Sequence, residues 1–216
     1  MNNTKQISNA YREIGVLHND GLDFIINNLD PTDPVVIEKI IELTSQYMQN
    51  TTDKITKLDF AFYYNLIATN INRLNQIPFD EILKESKISN EALCYIKEIL
   101  NISNDFDYIT TLKVLLNIEA NILNSELTEQ ERELPLVSVA VAKSSVEYWI
   151  IQINETESLW TPFVGDPVEF AWPWKSDAKG AISGAIGGVL EGPTGILIGS
   201  LLGAIAASVA DAIIRN

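Results

Sequence analysis

The sole histidine of the chain, His18, stands in "GVLHNDGLDFI" beside Asp20 and Asp23, residue types that can bind a metal ion or move a proton. Spacing argues against that chemistry. On a helix His18 follows Ile14 by four residues and precedes Gly21 by three, which places it on the apolar face. Asp20 and Asp23 fall a quarter-turn or more away, so the three side chains do not converge as ligands. We read His18 as a buried histidine satisfied by a neighbouring helix, with Gly21 permitting close approach.

Other chemical candidates fail on pattern. The acidic runs "DPTD" at 30–33 and "NDFDY" at 104–108 lack the sixth-position glycine and twelfth-position glutamate of a calcium loop, and read as helix starts. "GGVLEGPTG" lacks the Lys-Ser/Thr pair that meets phosphates. With one histidine, one cysteine and no serine in a nucleophile-elbow setting, nothing assembles a nucleophile and its base. The expectation is a protein that is not an enzyme, with no catalytic, metal or cofactor residues and no small-molecule substrate.

The elements around these residues belong to a chain of 216 residues, 46% apolar and 20% charged, enough for one good hydrophobic core. A formal charge of −14, from fifteen basic and twenty-nine acidic residues, excludes nucleic acid as a partner. That charge lies wholly in residues 1–173. From Trp174 onward Lys175, Lys179 and Arg215 balance Asp177, Glu191 and Asp211. Cys94 is the only cysteine, which excludes an intrachain disulfide, and it reads as a small core residue. The start, "MNNTKQISNA", has no signal-peptide pattern, so the expected location is cytoplasmic or reached by a route that needs no signal peptide, with membrane association left open.

Helical periodicity dominates and no run alternates as a strand would, so the fold class read from sequence is all-α. Ile14, Leu17, Gly21, Leu22, Ile25 and Leu29 share one helix face. Asp33 is placed to cap the next helix, with Pro34 at its first position and Ile37, Ile40, Ile41, Leu43 and Tyr47 inward. A third helix is expected over 53–74, with Ile55, Leu58, Phe62, Leu66 and Ile67 inward, until Pro78 breaks it. Ser89 caps a helix carrying Leu93, Ile96 and Leu100, and another over 106–123 presents Ile109, Leu112, Leu116 and Leu123. Thr128 and Glu131 have capping-box spacing before the apolar stretch "PLVSVAVAKSSVEYWIIQI". The organisation predicted is an acidic helical bundle over 1–155, a Trp- and Pro-rich linker over 156–175 and a glycine-zipper helical hairpin over 176–216.

In the hairpin, Gly180, Gly184, Gly188 and Gly192 recur at intervals of four. After a turn placed at Gly192 and Pro193, the series resumes as Gly195, Gly199, Gly203 and Ala207. Glycine costs about 1 kcal/mol relative to alanine inside a helix, so such a stripe needs compensation from very close helix contact. The stripes are expected to face each other or copies of themselves, leaving a greasy outside that includes Ile186 and Leu201 for lipid, the bundle or another subunit to cover. The uncharged run 192–210 is about 28 Å long as a helix, near the roughly 30 Å of a bilayer core. The first arm, 180–190, reaches only about 16 Å.

All four tryptophans, Trp149, Trp160, Trp172 and Trp174, precede this hairpin closely. Trp160, Trp172 and Trp174 with Lys175 and Lys179 are residues that suit a membrane interface, while core packing of the same indoles is the alternative. Residues 180–207 resemble the glycine-zipper hairpins of bacterial membrane-active and surface proteins, including some bacteriocins and glycine-zipper lipoproteins. With "HNDGLDFI" ahead of it, the architecture is also similar to that of uncharacterised bacterial helical proteins. The resemblance implies membrane insertion or self-assembly, with a pore-forming or antagonistic role as one form. The chain departs from the lipoproteins in lacking a cysteine to lipidate. A soluble interaction protein, its hairpin packed permanently on the bundle or in a homo-oligomer interface, is the other reading.

Overall fold

A computed structural model of the chain describes residues 2–34, 36–52, 60–86, 88–155, 158–164, 173–188 and 192–214. Among these residues the regular elements are ten helices: α1 (Asn2–Asn28), α2 (Ile37–Thr52), α3 (Phe60–Gln76), α4 (Phe79–Glu85), α5 (Asn90–Leu100), α6 (Tyr108–Asn124), α7 (Glu129–Asn154), α8 (Thr161–Val164), α9 (Trp174–Gly188) and α10 (Gly192–Ile214). The all-α class read from periodicity is the class of the fold.

Short polar side chains start several of these helices by accepting otherwise orphaned N–H groups. Ser89 accepts from Ala92 N at 3.4 Å and Asp107 from Thr110 N at 2.7 Å. Thr128 and Glu131 close a full capping box, with Thr128 N donating to Glu131 Oε2 at 2.9 Å and Glu131 N to Thr128 Oγ1 at 3.3 Å. From that cap α7 runs unbroken through the buried Pro135, so the capped turn and the apolar stretch are a single helix.

Two boundaries differ from the sequence expectation. Helix α2 begins at Ile37 and not at Pro34. Asp30 folds the preceding residues into a turn, accepting from Thr32 N at 2.8 Å and Thr32 Oγ1 at 2.7 Å, and Asp33 stands four residues before α2 rather than at its cap position. Gly192 and Pro193, expected to form the hairpin turn, instead open α10, where the missing proline N–H is no loss. Residues 189–191, like Ile55, Leu58 and Trp172, lie outside the described residues.

Helix α6 buries Thr111, Leu115, Ile118 and Ile122, whereas Ile109 and Leu116 are 61% and 51% exposed. Leu112 and Leu123 pack against the core as expected, while Ile109 and Leu116 do not, because apolar residues occur on both sides of this helix. Cys94 is exposed on α5, where Ala92, Ile96 and Ile99 take the inward positions.

The α9–α10 hairpin joins all three hydrophobic clusters. With α1, α2, α3, α7 and Trp160 it forms the largest, through Ala181, Leu201, Leu202, Ile205 and Val209. Its Trp174 and Ala178 enter the cluster of α5, α6 and α7, and Ile182 packs with Leu83 and Ile96. Burying a side chain such as Leu202 or Ile205, both 0% exposed, contributes about 1.5–3 kcal/mol. The apolar packing thus crosses the boundaries drawn from sequence between 1–155 and 176–216.

Candidate functional site

The hairpin closes along its glycines. Helices α9 and α10 run antiparallel, pairing Gly180 with Gly203, Gly184 with Gly199 and Gly188 with Gly195: four residues forward on one helix is four back on the other. A Cβ added at Gly184 would overlap the carbonyl oxygen of Gly199, and one at Gly203 would overlap that of Gly180. The obstacle in each case is backbone, which cannot rotate aside. Ala207 extends the stripe, its Cβ lying 2.6 Å from the point a Cβ on Gly180 would occupy. Gly192 stands at the first position of α10.

A polar junction ties this hairpin to the bundle. His18 from α1, Ser145 from α7 and Asp177 from α9 are each 0% exposed. Ser145 Oγ donates to Asp177 Oδ2, and His18 Nε2 lies 3.4 Å from the same oxygen. On its other side the His18 ring meets Asn19 Oδ1 at 2.9 Å, and Asn19 Nδ2 donates to Ser144 O at 3.0 Å. Asp177 Oδ1 has no hydrogen-bond partner. The helices can come this close because α1 offers glycines at the crossings. A Cβ at Gly15 would lie 3.0 Å from Ala140 O of α7, and one at Gly21 would lie 3.0 Å from Ile205 Cγ1 of α10.

A second contact reaches the stripe from α3. Asn70, 3% exposed, directs its amide nitrogen to the hydroxyl and carbonyl oxygens of Ser183, 3.0 Å each, and its oxygen accepts from Gly184 N at 3.2 Å. This orientation gives every amide atom a partner of the opposite kind. Near the end of the hairpin Ser176 Oγ donates to Asp211 Oδ2 at 2.8 Å.

Trp160 and Trp174, candidates for a membrane interface, are core residues in this conformation, 1% and 4% exposed. Trp160 packs against Trp149 with ring centroids 4.8 Å apart and planes tilted by 59°, and its Nε1 donates to Tyr148 Oη at 2.8 Å, which in turn donates to Asp23 Oδ1 at 2.8 Å. Burial pushes the Tyr148 phenol far above the usual tyrosine range. Lys175 sits over the Trp174 ring at 5.4 Å and Lys179 over the Phe79 ring at 6.0 Å. Burial, with Lys179 nearby, lowers the Lys175 ammonium from its ordinary value.

Ser145, Asp177 and His18 are the residue types of a hydrolase, but their order is wrong for one. The carboxylate receives both partners, so the serine faces an acid and has no base, and the group is sealed from solvent. Between α3, Pro78 and the hairpin opens a cleft of about 390 Å³ in which, among the described residues, Lys179 is the charged one. Among the described residues no group of three His, Cys, Asp or Glu side chains is arranged to hold a metal ion.

The buried role of His18 was readable from its helix face. Its partners were not, since Asp177 and Ser145 are remote in sequence and each looks like an ordinary helical residue. Asn70 and Ser183 were missed for the same reason. The one available signal was Asp177 itself, an acid three residues before a stripe of glycines. Compared with family models, curated proteins and solved structures, the chain matches none.

Proposed function

We propose that this protein is a non-enzymatic, membrane-active protein that stores a helical hairpin inside a sheath of helices and delivers it to a lipid bilayer. The observation that carries this reading is the division of the hairpin's contacts. Its tightest contacts, the glycine pairs, are internal, so they travel with it if it leaves. Its contacts with the bundle are mainly aliphatic side chains, for which lipid is an equivalent partner. Within α10, residues Gly195–Ile213 are long and apolar enough to cross a bilayer, as is α7. Because the stripe closes on itself, self-assembly would use the outer faces, or would require the two arms to part and pair with copies.

A second reading, a soluble interaction protein with the hairpin fixed in place, draws support from the buried polar ties of Asp177 and Asn70, which lipid does not replace. Flotation with zwitterionic and anionic vesicles at neutral and acidic pH, together with dye release, separates the two. Co-flotation accompanied by leakage supports insertion. Absence of vesicle binding at every pH overturns it in favour of permanent packing.

A further inference from the structure

We infer that His18 and Asp177 share one proton across the buried contact between α1 and α9, so that the bundle's hold on the hairpin is coupled to that proton. The count follows from donors and acceptors. Asn19 Nδ2 is committed to Ser144 O, which leaves Asn19 Oδ1 facing the ring. That oxygen only accepts, so His18 Nδ1 carries a hydrogen. A neutral ring then presents a bare lone pair at Nε2. Opposite it, at 3.4 Å but without a hydrogen bond formed, is Asp177 Oδ2, an oxygen already accepting from Ser145. Two acceptors facing each other at 0% exposure repel unless a proton lies between them.

Charge leads to the same result. With the proton, the site is an imidazolium–carboxylate pair or its neutral tautomer, and in both forms carries no net charge. Without it, a single buried carboxylate remains, with Oδ1 unpartnered. Among the described residues no neighbouring cation stands in. On α7 Lys143 pairs with Glu119 at 2.7 Å and Glu147 is exposed. On α9 Lys175 and Lys179 lie over Trp174 and Phe79. On α1 Arg12, Glu13 and Asp20 are exposed and Asp23 accepts from Tyr148, while on α10 Asp211 accepts from Ser176.

An unfolded histidine is mostly neutral above about pH 6.5, and an unfolded aspartate is ionised above about pH 4. The folded junction therefore holds a proton that the separated residues release, and its contribution is lost as pH rises. Mild acid secures this contact and alkali loosens it. Any acid-driven release of the hairpin must then act through carboxylates elsewhere. The proton count stands without the membrane reading; only its consequence for delivery to lipid rests on it.

Because His18 is the sole histidine, isotope-labelled histidine reports this ring alone in the intact protein. Near neutral pH the expected spectrum shows a proton on Nδ1, with a second proton either on Nε2 or on the Asp177 carboxyl, read by carbon NMR. A neutral Nδ1–H ring beside an ionised Asp177, or a neutral ring protonated at Nε2 alone, overturns the inference. Once the junction proton begins to leave, exchange of α9 amides, corrected for intrinsic chemistry, is expected to rise by up to about tenfold per pH unit; a flat profile through the pH range where the ring loses it overturns the coupling. In Asp177→Asn the new amide can donate to Nε2, so the ring becomes neutral and the linked pH dependence disappears. A persistent imidazolium in that variant sinks the proposal, and if the variant does not fold, the ring spectrum of the unaltered protein decides. Vesicle binding is not a readout here, so this inference and the membrane reading fail separately.

Discussion

The hairpin has an inner and an outer surface, and the two are stabilised by different means. Inside, α9 and α10 meet backbone to backbone along paired glycines, where no side chain can be added and none contributes. Outside, Leu201, Leu202, Ile205 and Val209 meet the bundle through aliphatic packing, supplemented by the Asp177 and Asn70 ties. The inner surface is specific in shape and supplies little apolar area per residue. The outer one supplies most of the burial and is chemically generic except at its polar ties. A hairpin built this way keeps its own structure in any apolar surrounding, while its choice of surrounding rests on a few buried polar groups.

The largest effect should come from filling the inner surface. In Gly184→Leu or Gly199→Leu the new Cβ meets the facing backbone, which has nowhere to move. A loss above about 4 kcal/mol is expected, enough to unfold a protein of ordinary stability. Even Gly184→Ala should lose about 2 kcal/mol, because overpacking outweighs the roughly 1 kcal/mol that alanine gains in a helix. Urea unfolding followed by circular dichroism measures both. Unchanged midpoints would mean that the two stripes do not touch. In vesicles the leucine variants are expected to bind but release less dye per bound molecule.

How much of this was visible in the sequence depends on the range of the cause. The glycine stripe was legible because a four-residue repeat fixes a helix face locally, and the capping box at Thr128 because both partners lie within one turn. The face of α6 was legible only in part, since Leu112 and Leu123 do pack inward but Ile109 and Leu116 imitate that row while Leu115, Ile118 and Ile122 hold the core. The start of α2 was misplaced because the Asp30–Thr32 turn competes with a helix cap for the same polar residues. Beyond the burial of His18 the polar junction was hidden, because its partners meet only once α1, α7 and α9 have packed.

In the bundle that covers the outer surface, Tyr148→Phe removes one hydroxyl that serves two groups, leaving Trp160 Nε1 buried without an acceptor and Asp23 without a donor. A loss of about 1–3 kcal/mol follows from the unsatisfied indole, smaller than that of a filled inner surface. Alkali probes the same region. Burial raises Tyr148 far above the usual range, and raises Tyr11 and Tyr47 to about 12. These phenols stay neutral in the folded protein where an unfolded chain ionises near pH 10, so their contribution is present below about pH 10 and is lost as pH climbs past it. Tyrosinate absorbance of these three should therefore appear together with loss of helical signal. Full ionisation of all seven tyrosines ahead of unfolding would contradict their placement.

The smallest effect has the opposite sign and tests the comparison most closely. Gly187 lies on α9 between Gly184 and Gly188, yet it is exposed and off the stripe. A Cβ there would sit 3.6 Å from Leu66 Cδ1 and 3.8 Å from the Asn70 side-chain amide, ordinary contact with room to spare. With no collision, Gly187→Ala keeps only the benefit of restricting the unfolded chain and favouring the helix, so it should stabilise the protein by about 0.5–1 kcal/mol. Gly184→Ala and Gly187→Ala thus differ by three positions along one helix and should move the urea midpoint in opposite directions. If both lower it equally, the hairpin needs glycine for backbone freedom along its whole length. If both raise it, the arms of the hairpin are further apart than backbone contact, and the inner surface loses its special status. Opposite shifts leave close approach at the stripe as the reason the glycines are there.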